Sequence, residues 1–244
     1  RSRASSTPPA SRRPMQVSRT CSAARVADRT LPLGLPPTAR DLSPPSGRTS
    51  TASTSRPTPT RRTTSFAASV VDNFEVDAVL SSLPAGHPLL GLAPGARRCA
   101  AGQSWSWDGV RFDLLHPGSV QARAKKSNDL SCVLKVSAGG RSMLLTGDIE
   151  RPAEADLLKR VPGSLPADVL LMPHHGSRTS SSAEFLAAVR PSAAVVPVGY
   201  RNRFGHPNAE VLGRYSLMNT RIFRTDRDGA VTVGLLKEGF DIKG

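Results

Sequence analysis

Ala167-Asp-Val-Leu-Leu-Met-Pro-His-His-Gly-Ser177 is an apolar run that stops at a proline and delivers two adjacent histidines. A mostly apolar stretch of this length reads as a strand buried on both faces, as in a parallel sheet. The two imidazoles then fall on the loop at its carboxyl end. Upstream, Leu144-Leu-Thr-Gly-Asp148 repeats the pattern with a carboxylate. Downstream, Ala193 to Val198 is a third apolar run, and Phe204-Gly-His-Pro207 follows it. One carboxylate and three histidines are thus expected together on strand-end loops, the place where an α/β scaffold builds a site that can activate water.

The flanking sequence supplies the scaffold. Trp105 to Trp107 and Val110 to Leu114 alternate polar and apolar residues around Asp108-Gly109, and Ser131 to Ser137 and Arg141 to Thr146 flank Ala138-Gly-Gly140 as a second such pair. Both read as hairpins. A further strand is expected at Glu75 to Leu80. Ala153, Leu157, Leu158 and Val161 share one face of a helix over 150–161, with Pro152 in the first turn, where its missing N–H is harmless. Helices are also expected over 182–189 and over 208–218, the latter capped by Asn208. Arg221 to Thr225 and Ala230 to Leu236 are expected to pair as a last hairpin around Asp226 to Gly229. Hairpins followed by alternating helix and strand make an α/β sandwich.

Composition divides the chain near residue 68. Of a formal charge of +14, the first 65 residues carry +10: 12 arginines against Asp28 and Asp41. That stretch contains no Lys, Glu, Ile, Asn, Phe, Tyr, Trp or His. So little apolar surface cannot offset an ordering cost of about 1–2 kcal/mol per residue, so residues 1–68 are expected to be a disordered basic segment and 69–244 a domain. An out-of-frame translation of GC-rich DNA, a nucleic-acid-binding tail and a targeting peptide would each give this composition. Cys21, Cys99 and Cys132 are odd in number and widely spaced, so no disulfide is expected. No apolar run approaches the ~20 residues of a membrane span, and the chain is expected to be soluble.

Asp148, Asn128-Asp-Leu-Ser131, the His174-His175 motif with Ser180, Arg190-Pro191, Gly205-His206-Pro207 and Arg224-Thr-Asp-Arg-Asp-Gly229 together resemble the C-terminal metallo-β-lactamase-like domain of ComEC-type competence proteins, over roughly residues 69–240. The resemblance implies an αββα sandwich and, in intact members, a metal-dependent phosphodiesterase acting on incoming DNA beside a membrane channel, at the membrane face or outside the cytoplasm. It implies Asp148, His174 and His206 as ligands of a divalent metal (Zn or Mn), with His175 and Ser177 catalytic. Arg178, Arg201 and Arg203 are expected to contact DNA, and no nucleotide cofactor is implied. The family's leading Asp-Val-Gly-Gln-Gly-like strand and its His-x-Asp-x-Asp-His-like motif have no counterpart in the sequence. Two or three ligands cannot hold two ions that each need four donors, so the first strands and the metal motif are expected to be missing and activity impaired. An inactive DNA-binding module and another metallo-hydrolase of the same fold remain alternatives.

Overall fold

The computed structural model describes residues 30–33, 70–71, 73–74, 76, 78–84, 86–91, 95–118 and 127–244. The expected disordered segment therefore lies outside the described residues, except for the backbone of strand β1 (Thr30–Leu33). This strand pairs antiparallel with β2 (Ala78–Ser81), which pairs in parallel with the two-residue β3 (Arg97–Arg98).

The main sheet has seven strands: β4 (Ser104–Trp107), β5 (Val110–His116), β6 (Val133–Ala138), β7 (Arg141–Leu145), β8 (Val169–Leu171), β9 (Ala193–Val196) and β10 (Arg221–Arg224). They lie side by side in chain order. From β4 to β7 the pairing is antiparallel, and from β7 to β10 it is parallel. The change comes where α-helices enter the connections. The two hairpins turn at Asp108-Gly109 and Gly139-Gly140, all four at positive φ. Each parallel crossover instead carries a helix: α1 (Arg151–Arg160), α2 (Ala183–Val189) or α3 (Ala209–Leu217).

Side chains alternate across β7, β8 and β9 with the period of a strand. Leu144, Leu170, Ala194 and Val196 join the core beneath the helices, with Leu157, Phe185, Leu186, Val211 and Tyr215. Met143, Val169, Leu171 and Val195 face the other way, onto a hairpin of β11 (Thr232–Leu236) and β12 (Gly239–Lys243) that contributes Val233, Phe240 and Ile242. Helices, central sheet and hairpin make three layers among the described residues. This is the mixed α/β architecture the resemblance implies, in incomplete form.

The helix ends follow the expected chemistry. Ser182 accepts a hydrogen bond from the Phe185 amide, and Asn208 accepts from the Glu210 amide. Two expectations fail. Arg221 to Thr225 does not pair with the segment after it, because the crossover through α3 sets β10 parallel to β9. The Asp228 carboxylate instead accepts from the Arg224 amide and closes the turn. Cys99 and Cys132 are disulfide-bonded, 33 residues apart in sequence. The fold brings the end of β3 against the start of β6, which cysteine spacing alone could not show.

Candidate functional site

Asp148, His174, His175 and His206 leave the carboxyl ends of β7, β8 and β9, three adjacent strands of the sheet. Local contacts stitch the loops into one rim. Thr146 donates from its hydroxyl to the Leu171 carbonyl at 2.7 Å, tying the end of β7 to β8. Gly147 takes φ 56°, and a Cβ there would sit 3.0 Å from Ser131 Cβ. The Ser131 hydroxyl accepts from the Asp148 amide, and the His174 amide donates to the Gly147 carbonyl.

His174, His175 and Gly176 all have positive φ, at 47°, 56° and 80°. For the two histidines this conformation is strained by about 1–3 kcal/mol each, and it persists only where the surroundings enforce it. They do so here. A Cβ on Gly176 would meet Pro207 Cβ at 2.6 Å and Met172 Sδ at 2.8 Å, and the Asn208 amide donates to the Gly176 carbonyl. The His174–Gly176 turn and the His206–Asn208 segment are thereby locked together. Glu154 braces the next stretch: fully buried, it accepts from the amides of Ser181 (2.5 Å) and Ser182 (2.9 Å). Burial raises its pKa, and those hydrogen bonds oppose the rise.

The histidines play distinct parts. His175 donates from Nδ1 to the Pro197 carbonyl at 2.6 Å, which leaves Nε2 facing Asp148 Oδ1 at 3.3 Å. Its neighbour His174 points elsewhere, with Nδ1 3.5 Å from Glu150 Oε1 and 3.4 Å from Thr179 Oγ1. The His206 ring lies 6.0 Å from that of His174. Burial lowers the His206 pKa, and the nearby charges of His174 and His175 lower it further against the pull of Asp148. The carboxylate thus pairs with His175, the residue expected to be catalytic, and not with His174 or His206, the expected metal partners.

Other expected site residues are placed differently. Ser177 is buried; its hydroxyl bonds that of Thr179 at 3.0 Å and its amide donates to the His174 carbonyl, so both groups serve the loop. Arg178 reaches Glu210 at 3.6 Å. Arg201 and Arg203 are exposed on the loop that leads to His206. Sequence reasoning missed Glu150, a buried acid facing His174 and accepting from Asn128 Nδ2 at 3.2 Å. Its only signal was its place two residues after Asp148.

Among the described residues no three His, Cys, Asp or Glu side chains converge closely enough to hold a metal ion. An imidazole nitrogen and a carboxylate oxygen 3.3 Å apart can hold a proton between them, but two donors do not make a metal centre. The donor set present here does not by itself fit the metal that the resemblance implies. No helix of the described residues is long and apolar enough to cross a membrane.

No protein-family model matches the chain. It is 43% identical over 145 residues to competence protein ComA of Neisseria gonorrhoeae, covering 59% of this chain and 20% of that protein. To ComE operon protein 3 of Bacillus subtilis it is 35% identical over 122 residues, covering 50% and 15%. The chain thus spans a fifth or less of the length of these relatives. A crystal structure from Thermotoga maritima, described as a Zn-dependent hydrolase of the metallo-β-lactamase superfamily, aligns at TM-score 0.31 with 17% identity, covering 53% of this chain and 61% of that one. Over its matched residues the chain is homologous to the ComA/ComEC-type competence proteins.

Proposed function

We propose that the chain is part of a DNA-uptake protein and that the rim at the ends of β7, β8 and β9 receives the DNA backbone. The observation that carries this is the convergence of Asp148, His174, His175 and His206 on one rim, within a segment homologous to competence proteins. The Pro197 carbonyl on Nδ1 and the Asp148 carboxylate beside Nε2 fix the orientation of the His175 imidazole at the rim. His174 and His206 flank this pair as further N–H donors. Arg178, Arg201 and Arg203 supply the cations that offset phosphate charge. The residues described here bind and orient the strand, and hydrolysis by this chain is weak or absent.

Incubation of the full chain with labelled single-stranded DNA tests both halves. Binding is expected to survive EDTA and to weaken steeply with salt, each neutralised phosphate adding about 0.7 to the slope of log K against log salt. Cleavage in Mn²⁺ or Zn²⁺ is expected to be slight. Robust metal-dependent cleavage that disappears in Asp148→Ala would overturn the impairment, and failure to bind DNA at low salt would overturn the rim. Binding that vanishes on removal of residues 1–68 would move the DNA site to the basic segment.

A further inference from the structure

The loop between β9 and α3 carries Tyr200-Arg-Asn-Arg-Phe204, in which aromatic and basic side chains interleave. Tyr200 is 75% exposed and Phe204 63%, although the chain contains only two tyrosines and seven phenylalanines. Each ring has a guanidinium above it: Arg201 lies 5.3 Å from the Tyr200 centroid and Arg203 5.1 Å from that of Phe204. The rings do not ride on a slack segment. The Asn202 side chain brackets His206, accepting from its amide at 3.0 Å and donating to its carbonyl at 2.6 Å, and the Asn202 amide donates to the Gly199 carbonyl. The loop is tied to the rim, because the Phe204 ring lies 6.1 Å from that of His206 and within 20° of parallel.

Two exposed rings, each with its own cation and each fixed beside the rim, fit a ligand that offers flat π-faces and regularly spaced negative charge. Single-stranded nucleic acid offers both, whereas in a duplex the base faces are already stacked on one another. We propose that Tyr200 and Phe204, with Arg201 and Arg203, form a nucleobase-stacking subsite that takes unpaired bases of the strand whose phosphates lie at the rim. This rests on DNA as the ligand of the rim, but not on cleavage. The arginines hold the backbone irrespective of sequence, and the rings select strands with free bases.

Fluorescence anisotropy with the full chain in EDTA tests the subsite. The probes are a fluorescein-labelled oligothymidylate of about twelve nucleotides, a span within the reach of such grooves, and an equally long strand of abasic units. The full chain is expected to bind the thymidylate at least about 5-fold more tightly, from stacking on even one ring. The double variant Tyr200→Ala/Phe204→Ala should lose that preference while keeping its affinity for the abasic strand, and Tyr200→Trp/Phe204→Trp should retain it. Arg201→Gln/Arg203→Gln should weaken both probes and reduce the salt slope by about 1.4. A chain that binds both strands equally, or alanine variants that weaken both equally, would overturn the subsite and leave the rim standing. Binding to neither strand would overturn both.

Discussion

His116 shows how much one side chain can report. It is fully buried, donates from Nε2 to the Asp129 carbonyl at 2.8 Å, and turns Nδ1 toward Arg160 (3.5 Å) and Asp156 (3.6 Å). Burial lowers its pKa; Arg160 adds to that, while the Asp129 hydrogen bond and the Asp156 charge oppose it. The unfolded chain therefore binds a proton near the ordinary value of 6.5 that the folded chain does not. The resulting stability is fully present above pH 6.5 and falls as the pH drops toward the lower folded value. The thermal midpoint is expected to decline as the pH falls below about 6.5, and His116→Gln should flatten that decline. An equally steep profile in the variant would assign the dependence to other groups. Nothing in the sequence around His116-Pro117 foretold this burial, since each of its three polar neighbours comes from a segment at least 13 residues away. The rim residues were more legible, because each follows an apolar run and strand-end placement comes from local pattern. Which histidine faces Asp148 was not legible, since it depends on left-handed φ values at two successive non-glycine residues.

At the scale of elements, the helices and the first two hairpins were read from the sequence to within a few residues, because Pro152, Ser182, Asn208 and the Asp-Gly and Gly-Gly turns act through their immediate neighbours. Pairing between distant segments was not. The β10–β9 parallel contact and the Cys99–Cys132 bond depend on what the tertiary fold brings together. The disulfide joins the segment after β3 to the segment before β6, and Cys132 adjoins Ser131, whose hydroxyl holds the Asp148 amide. Closing a loop of this length stabilises a fold by about 3–4 kcal/mol on the chain-entropy account. Reduction, or Cys99→Ser/Cys132→Ser, is expected to lower the denaturant midpoint by a corresponding amount. An unchanged midpoint would mean that β3 and β6 are held together without the bond. Disulfides of this kind persist in oxidising compartments.

For the molecule as a whole, the seven-stranded sheet is two structures fused at β7. On one side, turns of two residues join β4 to β5 and β6 to β7; on the other, every pairing waits for a helix to cross over. Loop closure favours the near neighbours, so the antiparallel half should gain amide protection first in pulse-labelling exchange during refolding, and β8 and β9 later. Simultaneous protection throughout the sheet would contradict that order. If it holds, Asp148 is anchored on the early half while all three imidazoles arrive with the late one. A nascent or partly denatured chain would then own a hairpin scaffold without its histidine rim. The assembled rim would be the last feature acquired on folding and the first surrendered under stress.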